Sequence, residues 1–272
     1  MDWNLNEAFD TRDGTIRWSS FGEGDPIVLT HGTPFSSFVW RDIAGALART
    51  RRVFVWDLLG YGQSDKREGQ IVSLARQGKL LAQLVEHWSL DRPSLVGHDF
   101  GGAITLRAHL LEHVSARDLT LIDAVSCGDW GTGLFRLTKS NMDVFQQLPA
   151  YVHDAAVASH IRTASHCGLP HPVLETYVAP WRGAEGQAAY YRQIDQAEVT
   201  HTDEFQHLLP EIAVPVSILW GRNDTWLPGE YADLLRERIP QASFSWIENA
   251  GHLVQEDAPA VLTAHLLSHH RP

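Results

Sequence analysis

Val96-Gly97-His98-Asp99-Phe100-Gly101-Gly102 is the stretch on which the reading of this 272-residue chain turns, because it sets an aspartate where a strand runs sharply into a helix. Pro93 to Val96 reads as a short buried strand, and Ile104 to Leu111 carries apolar residues at helical spacing. Glycines at 97, 101 and 102 flank a turn in which a Cβ would crowd the neighbouring backbone. The pattern is G-x-Nu-x-G with Asp99 as the nucleophile. The apex side chain is forced outward beside the N-terminus of the next helix, where unpaired N–H groups favour negative charge. A carboxylate there is held ionised, and the Phe100 N–H is free to receive an oxyanion. The plainer reading is that Asp99 only caps the helix.

Working outward, strands and helices alternate with one interruption. Thr15 to Phe21, Ile27 to Thr30 and Arg52 to Leu58 read as strands, with helices over Phe38 to Leu47 and Ser73 to Trp88. Leu119 to Ala124 is a further strand, and strand character returns at Val214 to Trp220 and Ser243 to Ile247 before a last helix from Ala258 to His269. This alternation predicts an α/β fold with a mostly parallel sheet covered by helices. From 126 to 212 the chain changes to aromatic- and His-rich helical segments. Residues 1–125 and 213–272 are therefore expected to form the core domain, and 126–212 a helical cap inserted over the C-terminal edge of the sheet.

Composition narrows the partners. The 22 basic and 33 acidic residues give a formal charge of −11 without a Lys/Arg run, which argues against nucleic acid and anionic membranes. The first residues carry neither a basic nor an apolar leader, and no apolar run reaches the ~18 residues of a spanning helix, so a cytoplasmic protein is expected. Cys127 and Cys167 stand in no metal spacing and are expected to be reduced.

The turn needs partners, and the other strand ends supply them. Asp224 follows the strand ending at Trp220, and His252 follows the last strand, so both can converge on Asp99. Asp123, at the end of another strand, competes with Asp224 for the role of acid. His31-Gly32-Thr33-Pro34 follows an early strand; its proline is of the kind that often carries a cis bond, and the Thr33 N–H is placed as a second oxyanion donor.

These segments, together with Asp57-Leu58-Leu59-Gly60-Tyr61-Gly62-Gln63-Ser64, resemble the α/β-hydrolase superfamily over nearly the whole chain. The aspartate resembles the branch that contains epoxide hydrolases and haloalkane dehalogenases. The resemblance implies an eight-stranded, mostly parallel sheet and the chain order nucleophile, acid, histidine: Asp99, Asp224, His252. It places Asp57 and Ser64 in a structural loop. It implies attack by Asp99 on an sp3 carbon to form an alkyl ester, then hydrolysis of that ester by water that His252 deprotonates. Water is the co-substrate, and no metal or organic cofactor is required.

The same resemblance separates the leaving groups. Haloalkane dehalogenases typically carry Asn at the position of Thr33 and Trp at that of Phe100 to hold the halide, and fluoroacetate-type dehalogenases an Arg after the nucleophile; none of these donors is present. Epoxide hydrolases use cap tyrosines to protonate the opening ring, and Ala188-Ala189-Tyr190-Tyr191-Arg192 is similar to the stretch that supplies one, with Tyr191 at the matching position. Tyr151 or Tyr177 is expected to supply a second, with Tyr151 preferred.

Among the ten tryptophans, Trp40, Trp130 and Trp181 are candidate substrate contacts, with Trp226 also near the site edge, which suggests a small apolar substrate. His153, His160, His166 and His171 are cap residues within reach of it. The expectation is an epoxide hydrolase, monomeric or a homodimer. A haloalkane dehalogenase with an atypical halide site is the alternative enzyme, and a ligand-binding protein on the same fold is the alternative from another class.

Overall fold

The computed structural model describes residues 3–131 and 133–269. Eight strands, β1 (Glu7–Thr11), β2 (Gly14–Phe21), β3 (Pro26–Thr30), β4 (Arg52–Trp56), β5 (Ser94–His98), β6 (Asp118–Ile122), β7 (Val216–Gly221) and β8 (Ser243–Ile247), form one sheet in the order β1-β2-β4-β3-β5-β6-β7-β8. The β1/β2 and β2/β4 pairs are antiparallel and all others parallel. Every residue of β5 and β7 is buried, as is all but the first of β3 and β6. Continuous apolar runs of this kind are what a parallel sheet covered on both faces requires.

Core helices α1 (Arg41–Leu47), α2 (Leu74–His87) and α3 (Phe100–Leu110) precede the cap segment. Between β6 and β7 lie α4 (Leu134–Ser140), α5 (Met142–Gln146), α6 (Ala150–Arg162), α7 (His171–Val178), α8 (Gly183–Asp195) and α9 (Thr200–Gln206); α10 (Gly229–Arg238), α11 (Val254–Asp257) and α12 (Pro259–His269) follow. Among the described residues no helix is long and apolar enough to cross a membrane.

Strand β1 has no counterpart in the sequence reading. Glu7-Ala8-Phe9-Asp10-Thr11 lacks an apolar alternation because it is an edge strand with mostly solvent-facing residues. Its pairing with β2 comes from the turn before Gly14, where the Thr11 hydroxyl donates to Gly14 O (2.8 Å) and accepts from Asp13 N (3.2 Å).

The turn after β5 is tight. Asp99 has φ 55° and ψ −120°. A Cβ on Gly97 would lie 2.2 Å from Gly101 O, and one on Gly101 would lie 2.3 Å from Thr30 O. Both glycines are therefore demanded by backbone-to-backbone approach, and Asp99 is driven out over the C-terminal edge of the sheet.

Two clusters of bonds stand out among the links between the cap segment and the core; the end of α8 adds others, such as Val72 N to Gln196 Oε1 (2.7 Å). Arg41 of α1 pairs through both terminal nitrogens with Glu256 (2.6 and 2.8 Å), and the Tyr177 hydroxyl of α7 bonds the same carboxylate. The second cluster joins 164–167 to the loop around His252. Leu253 N donates to Ala164 O (2.9 Å), while the Asp257 carboxylate accepts from Ser165 Oγ (2.6 Å), His166 N (2.8 Å), Cys167 N (3.0 Å) and Gly251 N (2.8 Å).

Candidate active site

Three strand ends deliver the candidate reacting groups. Asp99 leaves β5, Asp224 follows β7, and His252 follows β8. The Asp224 carboxylate is fixed before it meets the histidine: its Oδ1 accepts from Trp226 N (2.7 Å) and Leu227 N (2.9 Å). Its Oδ2 lies 2.9 Å from His252 Nδ1, and His252 Nε2 lies 3.3 Å from Asp99 Oδ2. The other Asp99 oxygen, Oδ1, accepts from Thr33 N at 2.7 Å. All three side chains are buried.

Burial works against a charge on His252, but Asp224 and then Asp99 outweigh it and lift the imidazole pKa well above its ordinary value. The position between the two acidic side chains thus favours the protonated form of His252. Neutralising Asp99 removes one of the two anions and makes His252 a readier proton acceptor.

Supporting residues are as closely fixed. His31 Nδ1 donates to Gly32 O (2.8 Å) and its Nε2 accepts from Leu58 N (2.9 Å), so burial keeps it neutral and it ties the Thr33 loop to the loop after β4. The Thr33–Pro34 peptide is cis. Asp57 accepts from Ser37 N and Gln63 N, and Ser64 Oγ donates to Asp57 O, which makes this loop a structural one. His98, whose pKa burial depresses to about 3, bonds His252 O through Nε2 (2.8 Å).

Asp123 does not touch His252 Nδ1; that contact belongs to Asp224. Its Oδ1 accepts from Gly221 N (2.8 Å), and burial together with the Asp224 charge raises its pKa well above the carboxylate range. It is held by the backbone at the end of β7 rather than by His252.

A cavity of about 560 Å³ opens above Asp99, walled by Thr33, Phe100, Trp130, Phe135, His160, Tyr190, Gln193, Ile194 and Trp226 among others. The wall is largely apolar. Phe100 is the first residue of α3, where the N–H has no partner within the helix. Trp226 is stacked between His160 (4.2 Å between ring centroids) and His252 (5.0 Å). Burial lowers the His160 pKa to about 4, so this imidazole is neutral.

Several expected contacts fall elsewhere. Tyr191 points away from the cavity: its hydroxyl bonds His153 Nδ1 (2.9 Å), whose Nε2 bonds Trp181 O (2.9 Å). Its neighbour Tyr190 lines the cavity instead, and the Tyr190 hydroxyl has no hydrogen-bond partner among the described residues. The two tyrosines differ by one residue, about 100° around α8: Tyr190, Gln193 and Ile194 share the cavity-facing stripe at i, i+3 and i+4. Tyr151 is 77% exposed on α6 and lies outside the cavity wall. Trp40 is wholly buried before α1, and Trp181 is buried with its indole N–H on Pro34 O (2.7 Å). Only Trp130 of the three named tryptophans lines the cavity. Of the four cap histidines only His160 does; His171 is 80% exposed beside Glu175, and His166 is held through its backbone. Tyr177 is engaged with Arg41 and Glu256. Cys127 and Cys167 are both free.

A family model of the alpha/beta hydrolase family matches residues 27–265. The chain belongs to that family. This hydrolase is 25% identical over 268 residues to haloalkane dehalogenase 2 of Mycobacterium tuberculosis, covering 95% of this chain and 92% of that one. It is similar to the crystal structure of an alpha/beta hydrolase fold protein from Burkholderia ambifaria, with 43% identity, a TM-score of 0.95 and 98% of both chains covered. The fold of epoxide hydrolase CorEH is also alike, with a TM-score of 0.76 at 19% identity over 96% of each chain.

Proposed function

We propose that this hydrolase opens a small, largely apolar epoxide to a diol through an ester on Asp99. The observation that carries the reading is the Tyr190 hydroxyl, unpartnered in the wall of the cavity that holds Asp99. Burial raises its pKa, so it stays protonated and is a donor until an alkoxide develops beside it.

Asp99 Oδ2, the oxygen without a backbone donor, attacks an epoxide carbon as the ring C–O bond breaks. The departing oxygen takes the Tyr190 proton. Asp99 is now a neutral ester, so His252 loses one of the charges that hold its proton; it releases that proton as Tyr190 regains one. Neutral His252 next takes a proton from water, and the hydroxide adds to Asp99 Cγ. Thr33 N–H, already 2.7 Å from Oδ1, and Phe100 N–H steady the tetrahedral oxyanion. Collapse of that intermediate breaks the ester C–O bond; the departing oxygen takes the proton of the newly added hydroxyl, which releases the diol and restores the Asp99 carboxylate, with the imidazolium back in place.

The alternative, halide release, is weakened by what the two cavity tryptophans do. Trp130 donates its indole N–H to Thr202 Oγ1 and Trp226 donates to Thr163 Oγ1, both at 2.9 Å. Neither N–H is left for a halide. The similarity to haloalkane dehalogenase 2 keeps that reading in the test. Wild type and Asp99→Asn are assayed on aryl and alkyl epoxides and on bromoalkanes. Diol formation that Asp99→Asn abolishes supports the proposal; bromide without diol overturns it.

A further inference from the structure

The oxygen of Gln193 is occupied from two sides. Thr33 Oγ1 donates to Gln193 Oε1 at 2.7 Å and Tyr61 OH donates to the same oxygen at 3.1 Å. Both donors come from core loops, whereas Gln193 sits on α8 of the cap. The residue is only 3% exposed and lines the cavity. With Oε1 engaged by two hydroxyls, its Nε2 has no hydrogen-bond partner among the described residues. That orientation also suits the local charge. Thr33, which holds Gln193 through its hydroxyl, holds Asp99 through its backbone N–H, so the amide stands one residue from a carboxylate. An amide turned with its N–H groups toward the anion is favoured over one that presents its carbonyl.

The amide N–H groups are not sealed in the interior but open to the cavity, where they can donate to an acceptor that enters it. Gln193 follows Tyr190 by three residues on α8, so the two side chains project from the same face. We infer that Gln193 Nε2 is a second donor to the leaving oxygen, acting with the Tyr190 hydroxyl as the epoxide ring opens. This rests on the proposed epoxide chemistry. Tyr190 transfers a proton; Gln193 does not, and contributes a fixed N–H bond that tightens as negative charge grows on the oxygen. Thr33 Oγ1 and Tyr61 OH are then positioning residues, since they turn the amide. The arrangement also sets a preference for substrates: an oxygen attached directly to the attacked carbon can meet both donors, and the rest of the molecule must be apolar to fill the wall.

The test separates the two chemical steps. In a His252→Gln background the Asp99 ester accumulates and its formation from styrene oxide is followed by intact mass in single-turnover experiments. Gln193→Met, similar in length and without N–H groups, is expected to slow ester formation ~10- to 100-fold, in keeping with the loss of one fixed donor. Gln193→Glu is expected to slow it further, because a carboxylate repels the developing alkoxide. With His252 intact, hydrolysis of a preformed ester should change by less than threefold (~) in Gln193→Met, a split that general loosening of the cap would not produce. Tyr61→Phe, which removes one of the two bonds that orient the amide, gives an independent reading should the Gln193 variants fold poorly; its ester formation is expected to slow several-fold. Ester formation within twofold (~) of the parent rate in Gln193→Met, or in Tyr61→Phe if that alone is soluble, overturns the role of Gln193 while leaving the epoxide reading intact. No ester on Asp99 even with Gln193 present overturns the epoxide reading, and this inference with it.

Discussion

The core and the cap segment present their candidate site residues by different means. In the core, Asp99, Asp224 and His252 stand on turns that leave strand ends, and backbone groups hold them: Thr33 N on Asp99, Trp226 N and Leu227 N on Asp224. In the cap, Tyr190 and Gln193 stand on one helix, and side chains decide what they face: Tyr61 and Thr33 hold Gln193, while His153 takes Tyr191 away. The difference teaches where each kind of information lies. Core positions follow from spacing along the chain; cap positions depend on helix rotation and on partners far away in sequence.

The largest effect that can break this comparison is at the nucleophile. Asp99→Asn is expected to lower turnover by ~10³-fold or more with the fold unchanged, read by diol formation beside a circular-dichroism melt. Normal turnover in that variant would remove the core from the chemistry altogether. Next, Asp224→Asn is expected to cost ~10²- to 10⁴-fold, chiefly in hydrolysis of the ester, since His252 loses the partner that orients and charges it. Accumulation of the Asp99 ester by mass spectrometry is the check.

The cap is sharpened by a pair of neighbours. Tyr190→Phe is expected to lower turnover ~10- to 100-fold with little change in melting temperature. Tyr191→Phe should do the reverse, keeping turnover near wild type but costing ~1–3 kcal/mol of stability, because it leaves His153 Nδ1 buried without its partner. A Tyr191→Phe enzyme that is stable and inactive would return the acid to the residue expected from the sequence.

The smallest effect is on pH. His160 and His98 have pKa values lowered from 6.5 to about 4 and about 3 by burial. As pH falls below 6.5 the unfolded chain takes up protons that the folded one refuses, so stability declines through that window. His160→Phe should therefore flatten the fall in melting temperature between about pH 6.5 and 4. His252 works in the other direction: its raised pKa gives stability that is complete below its unfolded value and is lost as pH rises through the folded one.

How much of this was legible in the sequence follows the same division. The parallel strands announce themselves as continuous apolar runs, and the nucleophile turn is written in glycines that the backbone cannot do without. Strand β1 was not legible, because an edge strand facing solvent has no apolar pattern to read. In the cap, Tyr190-Tyr191 offered two adjacent rings and only the rotation of α8 separates them. The stripe Tyr190, Gln193, Ile194 was a usable signal at helical spacing, and a polar residue between two large apolar ones marks the position most in need of explanation. Trp40 and Trp181 are interior residues for the opposite reason: a large aromatic side chain serves the interior as well as a binding wall, and its type alone does not say which.

The Asp257 carboxylate joins Ser165, His166 and Cys167 to Gly251, next door to His252. In mechanical terms the cap is a door hung on the same post as its own lock. A movement that pulled 164–167 away would carry the His252 loop with it, out of line with Asp99. On the proposed chemistry the cap segment and the proton acceptor share one anchor, and loosening that anchor is expected to slow hydrolysis of the ester.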